Sequence, residues 1–148
     1  AYYISLYTSY KPIKDLVASP LSDAEEGLKA LARFTYKIHK SGIFHHDYSI
    51  NNILYKVVDS QYDFSLIDNH RMKASTYSFR KGMKNLNRLE IPVECMGVVA
   101  AEYARVSGEN DLEILNAMAF IRLLYQSRIT MKRWLKMPLY LLKGQTTR

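Results

Sequence analysis

The chain has 148 residues, 48% hydrophobic and 24% charged, which suits one globular domain with a buried core. A lone cysteine, Cys95, excludes an internal disulfide framework and a multi-cysteine zinc site, and it reads as a small buried apolar residue on a helix. The net charge of +7 is uneven: residues 1–68 carry 7 Lys/Arg and 8 Asp/Glu (net −1), residues 69–148 carry 14 and 6 (net +8), so the second half offers a basic surface to solvent or to an anionic partner.

Ala1–Tyr7, rich in aromatic and β-branched residues, predicts a strand that Thr8–Pro12 breaks. A short helix is expected over Ile13–Ala18, and Pro20 closes the connector. Ser22-Asp23-Ala24-Glu25 has the form of a capping box, in which the Ser22 hydroxyl and the Glu25 carboxylate each bond the other's amide. Leu28, Leu31, Ala32, Thr35 and Ile38 follow at helical spacing; Lys37, His39 and Lys40 suit the last turn, and Gly42 stops the helix. Ile43-Phe44 is extended, and His45–Asn52 is a loop. Strands over Ile53–Val58 and Asp63–Asp68, joined by Asp59-Ser60-Gln61, make a hairpin. Residues Asn69–Lys81 are polar and basic without clear periodicity. Helices are then expected over about Lys84–Leu89, Val93–Val106, Leu112–Gln126 and Ile129–Lys136, with breaks at Pro92, Ser107-Gly108 and Pro138. The class is α+β, mainly α. The longest apolar stretch, Met137–Leu142, is too short to span a bilayer, and no secretion signal is visible.

The pattern with chemical content is His45-His46-Asp47-Tyr48-Ser49-Ile50-Asn51-Asn52, followed by an apolar strand that ends at Asp68. Phosphoryl transfer asks the protein for positioning and charge neutralisation more than for covalent chemistry. Asp47, on a loop between short strands, can orient an attacking hydroxyl. Asn52 and Asp68, from the two strands of one hairpin, can present oxygens to one magnesium ion, which prefers oxygen ligands. His45 reads as a ring bonded to backbone near the loop and the Asp68 turn. A transition-metal site of His45, His46 and His70 is the alternative, though adjacent histidines point apart and no HExxH or Cys/His pair accompanies them.

These residues resemble the catalytic lobe of protein-kinase-like phosphotransferases. His45-His46-Asp47 is similar to the His-Arg-Asp triplet, Asn52 to the metal-binding asparagine, and Asp68 to the aspartate of Asp-Phe-Gly. Within the superfamily the wording GIFHHDYSINNILY, FSLIDNHRM and FRKGMKNLNRL is most similar to the bacterial lipopolysaccharide kinases, which phosphorylate Kdo or heptose of the inner core. The resemblance extends over essentially the whole chain as one C-lobe domain, 1–148. Residues 1–10 correspond to the last N-lobe strand and the hinge, and 11–148 to the helical lobe. It implies ATP and Mg²⁺ as cofactors. Asp47 and His45 stand at catalytic positions, Tyr7, Thr8, Ser49 and Asn52 at ATP-binding positions, and Asn52 and Asp68 at metal positions. It also implies an anionic glycolipid or sugar acceptor, a cytoplasmic location with peripheral contact to the inner membrane, and no nucleic-acid partner. Such contact is expected of Arg71, Lys73, Arg80, Lys81 and Lys84.

Several residues depart from the protein-kinase pattern. His46 replaces arginine, Ser49 replaces lysine, Asn69-His70 replaces Phe-Gly, and no Ala-Pro-Glu follows, all of which argue against a protein substrate. The glycine-rich phosphate loop and the ATP-pairing lysine are absent from the 148 residues, and the chain starts at Ala1. The reading is therefore a fragment without most of the small lobe, expected to bind ATP poorly. The rivals are a kinase for another small hydroxyl compound, of the aminoglycoside or choline type, and a non-catalytic scaffold lobe.

Overall fold

The computed structural model describes residues 9–143, with side chains through Trp134. The strand expected over Ala1–Tyr7, and Thr8 after it, lie outside the described residues.

In chain order the elements are β1 (Lys11–Pro12), α1 (Ile13–Val17), α2 (Leu21–Lys40), β2 (Ile43–His45), β3 (Ile53–Val58), β4 (Gln61–Leu66), β5 (Met72–Ala74), α3 (Phe79–Leu86), α4 (Val93–Ser107) and α5 (Asp111–Lys143). Two small antiparallel sheets flank a helical body: β1-β3-β4, and the ribbon β2-β5. The fold is α+β, mainly α.

α2 is the axis of the molecule. Its periodic face buries Ala24, Leu28, Leu31, Ala32, Thr35 and His39, most of it against α4, which contributes Cys95, Met96, Val99, Ala100 and Tyr103. Cys95 is thus the buried apolar residue its surroundings predicted. Gly27 marks a close approach, because a Cβ there would stand 2.7 Å from Leu16 and 2.8 Å from Tyr62 on β4. α2 ends where Gly42 takes φ +76°, a conformation glycine adopts without steric cost.

The capping box does not form. α2 begins at Leu21 behind Pro20, which puts Ser22 inside the first turn, and its hydroxyl donates to Asp23 Oδ1 instead (3.0 Å). The hairpin forms in the register Ile53↔Leu66 to Val58↔Gln61. Its loop is two residues, Asp59 and Ser60, both at positive φ, as a type I′ turn requires. This turn places β4 at Gln61–Leu66, two residues earlier than the alternation suggested.

β1 and β5 were missed by periodicity. They are two and three residues long, and β5 pairs with β2 as Ile43↔Ala74 to His45↔Met72. α3 starts at Phe79, not near Lys84, because Ser78 caps it by accepting from the Lys81 amide. The expected gap after Gln126 and the break at Pro138 do not occur. α5 is continuous, capped by Asn110 Oδ1 on the Leu112 amide (2.9 Å), and the Ser127 and Thr130 hydroxyls bond carbonyls within the helix.

Candidate active site

The loop between β2 and β3 is held by hydrogen bonds, some to its neighbours and some within it, at the peptides of His45, His46, Asp47, Ser49 and Asn52. At the β2 end, Asn85 of α3 donates through Nδ2 to the His45 carbonyl (2.7 Å), and Arg88 donates to the His46 carbonyl. The His46 amide donates to the Arg71 carbonyl (2.8 Å). Next to Asp47, Tyr48 is fully buried and shares a 2.6 Å hydrogen bond with Thr35, whose hydroxyl in turn donates to the Leu31 carbonyl (2.7 Å). Burial pushes the Tyr48 phenol well above its usual range, so it stays a neutral donor. With Tyr48 driven inward, its neighbour Asp47 is left exposed, its carboxylate without a partner among the described residues.

His45 is buried, and both its ring nitrogens are spent on backbone. Nε2 donates to the Ile67 carbonyl (2.9 Å) with Asp68 O at 3.2 Å, and Nδ1 accepts from the Asp47 amide (3.2 Å). The ring is therefore the neutral Nε2–H tautomer, tying the start of the loop to the end of the hairpin. It has no nitrogen left for a metal. Among the described residues no cluster of three or more His, Cys, Asp or Glu could hold one.

Asn52 closes the loop. Its Nδ2 donates to the Asp47 carbonyl (2.9 Å), which also accepts from the Ser49 amide (2.9 Å). Ser49 accepts in turn from the Asn52 amide (3.0 Å). The Asn52 carbonyl accepts from the Ile67 amide (3.1 Å), so Asn52 and Asp68 stand at the open end of the hairpin. Asp68 adopts the left-handed conformation (φ 63°, ψ 44°), which aspartate tolerates better than most residues and which is often met at functional sites. Its carboxylate lies 2.7 Å from His70 Nδ1 and 3.7 Å from Arg71 Nε.

The donor set fits magnesium. With Nδ2 occupied, Asn52 keeps Oδ1, and Asp68 offers two carboxylate oxygens; all are the hard oxygens this cation prefers. Metal binding would exchange the contacts of Asp68 with His70 and Arg71. The surroundings are cationic: Arg71 and Arg88 touch the loop and hairpin, and partial desolvation with Lys73 and Arg88 holds His46 below the usual imidazole range.

Behind the loop lies a buried network that the sequence did not reveal. His39 of α2 donates through Nε2 to Asn85 Oδ1 (2.9 Å), because Asn85 Nδ2 is already committed to the His45 carbonyl. His39 Nδ1 accepts from the Tyr103 hydroxyl (2.9 Å), and its ring stacks on Phe44. Burial lowers the His39 pKa against the opposing pull of Asn85, which keeps the ring neutral. Asn85 lies 40 residues beyond His45 in a segment read as a basic helix, so no local signal could have found it.

A sequence model of the lipopolysaccharide kinase (Kdo/WaaP) family matches residues 4–109. The chain belongs to this family. The match ends before α5. No curated protein matches the sequence. The fold is similar to the solved structure of WaaP in complex with acyl carrier protein, with a TM-score of 0.60 and 22% identity. The alignment covers 83% of this chain and 57% of that one, so the chain spans a little over half the length of its solved relative.

Proposed function

We propose that the complete protein moves the γ-phosphate of ATP to a sugar hydroxyl of the lipopolysaccharide inner core, Kdo or heptose. The observation that carries this is the loop's construction. The Asp47 carboxylate has no partner among the described residues and sits on a backbone fixed on both sides, and Asn52 both locks that backbone and stands at the same end of the hairpin as Asp68. Asp47 orients the acceptor hydroxyl and takes its proton as phosphate transfers. His45 is a positioning residue that keeps the loop and the hairpin end in one frame. Asn52 Oδ1 and the Asp68 carboxylate would hold Mg²⁺, which would supply charge neutralisation for the nucleotide phosphates. Ser49, Asn52, Tyr7 and Thr8 are assigned to the nucleotide. Arg71, Lys73 and Arg88 favour an anionic acceptor over the cationic ones of aminoglycoside- or choline-type kinases.

The 148 residues include no glycine-rich phosphate loop, so transfer is assigned to the complete protein and weak ATP binding to this chain alone. The test is transfer of labelled phosphate from Mg-ATP to Kdo- or heptose-terminated acceptors by the complete protein. Asp47→Ala should lower turnover by about 10²–10⁴-fold with little change in fold. Full activity in that variant would end the assignment.

A further inference from the structure

α5 is the largest feature that phosphoryl transfer leaves unused. Its first turns are packed: Ile114 and Met118 are buried, Ala117 and Ile121 lie against the core, and Arg122 donates to the Ile91 carbonyl (3.3 Å). From Leu123 to Trp134 no side chain is buried. Yet this stretch carries a second apolar stripe. Phe120, Leu124, Ser127, Met131 and Trp134 recur at intervals of four, three, four and three residues, with Leu123 beside them, which places them on one helical face. Phe120, Leu123, Met131 and Trp134 are 62–69% exposed. Phe120 and Ile121 are consecutive, so this stripe is turned about 100° from the face that meets the core. The domain and a second surface can therefore hold α5 at once.

Charge decides what that surface is. Arg128 and Lys132 border the stripe, with Arg133 further round the helix, and from Ile114 to Arg148 the sequence has seven Lys/Arg and no Asp/Glu. A second copy docked along this stripe would set cations against cations with no acid to pair them. Large apolar and aromatic side chains on one face, bordered by cations, are the composition of helices that lie in a membrane interface. No described helix is long and apolar enough to cross a membrane, so the contact is in-plane.

We propose that α5 beyond Arg122 binds the surface of an anionic phospholipid bilayer. Phe120, Leu123, Leu124, Met131 and Trp134 enter the acyl boundary, and Arg128 and Lys132 meet the headgroups. Neither Asp47 nor Asp68 takes part, so membrane binding and phosphoryl transfer fail separately.

Trp134 is the sole tryptophan of the chain, so its fluorescence reports the contact directly. With vesicles of phosphatidylethanolamine and phosphatidylglycerol at low salt, its emission should shift to the blue and iodide quenching should fall. Pure phosphatidylcholine vesicles should produce neither change, and roughly 0.5 M salt should reverse both. Arg128→Gln with Lys132→Gln, which retains good helix formers, should weaken partitioning at least about tenfold. Leu123→Gln with Met131→Gln should abolish the blue shift while circular dichroism stays unchanged. The proposal is overturned by an unchanged spectrum with anionic vesicles, or by equal binding of the charge variant. It is equally overturned by a blue shift that grows with protein concentration without lipid, which would assign the stripe to a second copy.

Discussion

Between His45 and Asn52 the backbone is gripped by α2, α3 and the hairpin end: Asn85, Arg88, the Thr35–Tyr48 pair and His45 itself each fix a different peptide or side chain. Between Leu123 and Trp134, a longer stretch, the side-chain hydrogen bonds of the described residues stay within the helix and the apolar side chains face outward. The loop has no regular secondary structure and is rigid through tertiary bonds. The helix is fully regular and depends on none. Order in this molecule therefore comes from two sources, and substitutions separate them.

The largest expected effect is Asn85→Ala. It leaves the His45 carbonyl and His39 Nε2–H unpaired in a buried setting, at a cost of about 3 kcal/mol in urea unfolding. It should also lower turnover in the complete protein more than it raises KM, since the loop loses its frame. A cost under about 1 kcal/mol would mean that the loop is held without α3.

Glu102 is next. It is buried between Arg33 (2.6 Å) and Arg105 (2.7 Å), and the bonds from Arg105, then Arg33, hold its carboxyl at about 2. Its contribution is complete above the ordinary value of 4.5 and is lost as pH falls towards about 2. Both arginines are partly exposed, so Glu102→Gln should cost about 2 kcal/mol at neutral pH, less than a fully buried pair, and should flatten the acid limb of the stability profile.

Tyr48→Phe removes one buried hydroxyl from the Thr35 pair and should cost about 1 kcal/mol, read as a fall in Tm. His39 adds a pH signature. Its folded pKa lies below the ordinary 6.5, so its contribution is present above that value and declines as pH falls below it. A His39→Gln variant should lose that inflection near neutrality and keep the one from Glu102.

The smallest effect belongs to the distal helix. Leu123→Gln or Met131→Gln should change stability by less than about 0.5 kcal/mol, because neither side chain is buried. A larger loss would show that α5 is packed by something other than the described core.

Much of this was legible from pattern. The apolar spacing of α2, the alternation of the hairpin, and the interval from Asp47 to Asn52 are local signals, and local signals survive in a sequence. β5 was not legible because three residues carry no period, and its pairing with β2 is a tertiary fact. The capping box failed because Pro20 started the helix one residue before Ser22. The last helix was expected to end before Pro138 because proline is a strong breaker on average, whereas at a single site it removes one donor and can be passed. Asn85 was invisible because its two partners lie 46 and 40 residues away and its own neighbourhood is that of a basic surface helix.

Gly27 has a consequence for the chemistry. At this residue α2 meets Leu16 and Tyr62 with no side chain between them, so the seam between helix and hairpin has zero spacer thickness. The same helix holds Asp47 further along through Thr35 and Tyr48, while the hairpin carries Asp68 at its end. His45 and Asn52 hold the two carboxylates in one frame, so the seam at Gly27 sets how closely that frame sits on the helical body, and not the gap between them. Gly27→Ala would press a methyl group against the ends of the Leu16 and Tyr62 side chains and leave the bonds that join Asp47 to the Asp68 end of the hairpin untouched.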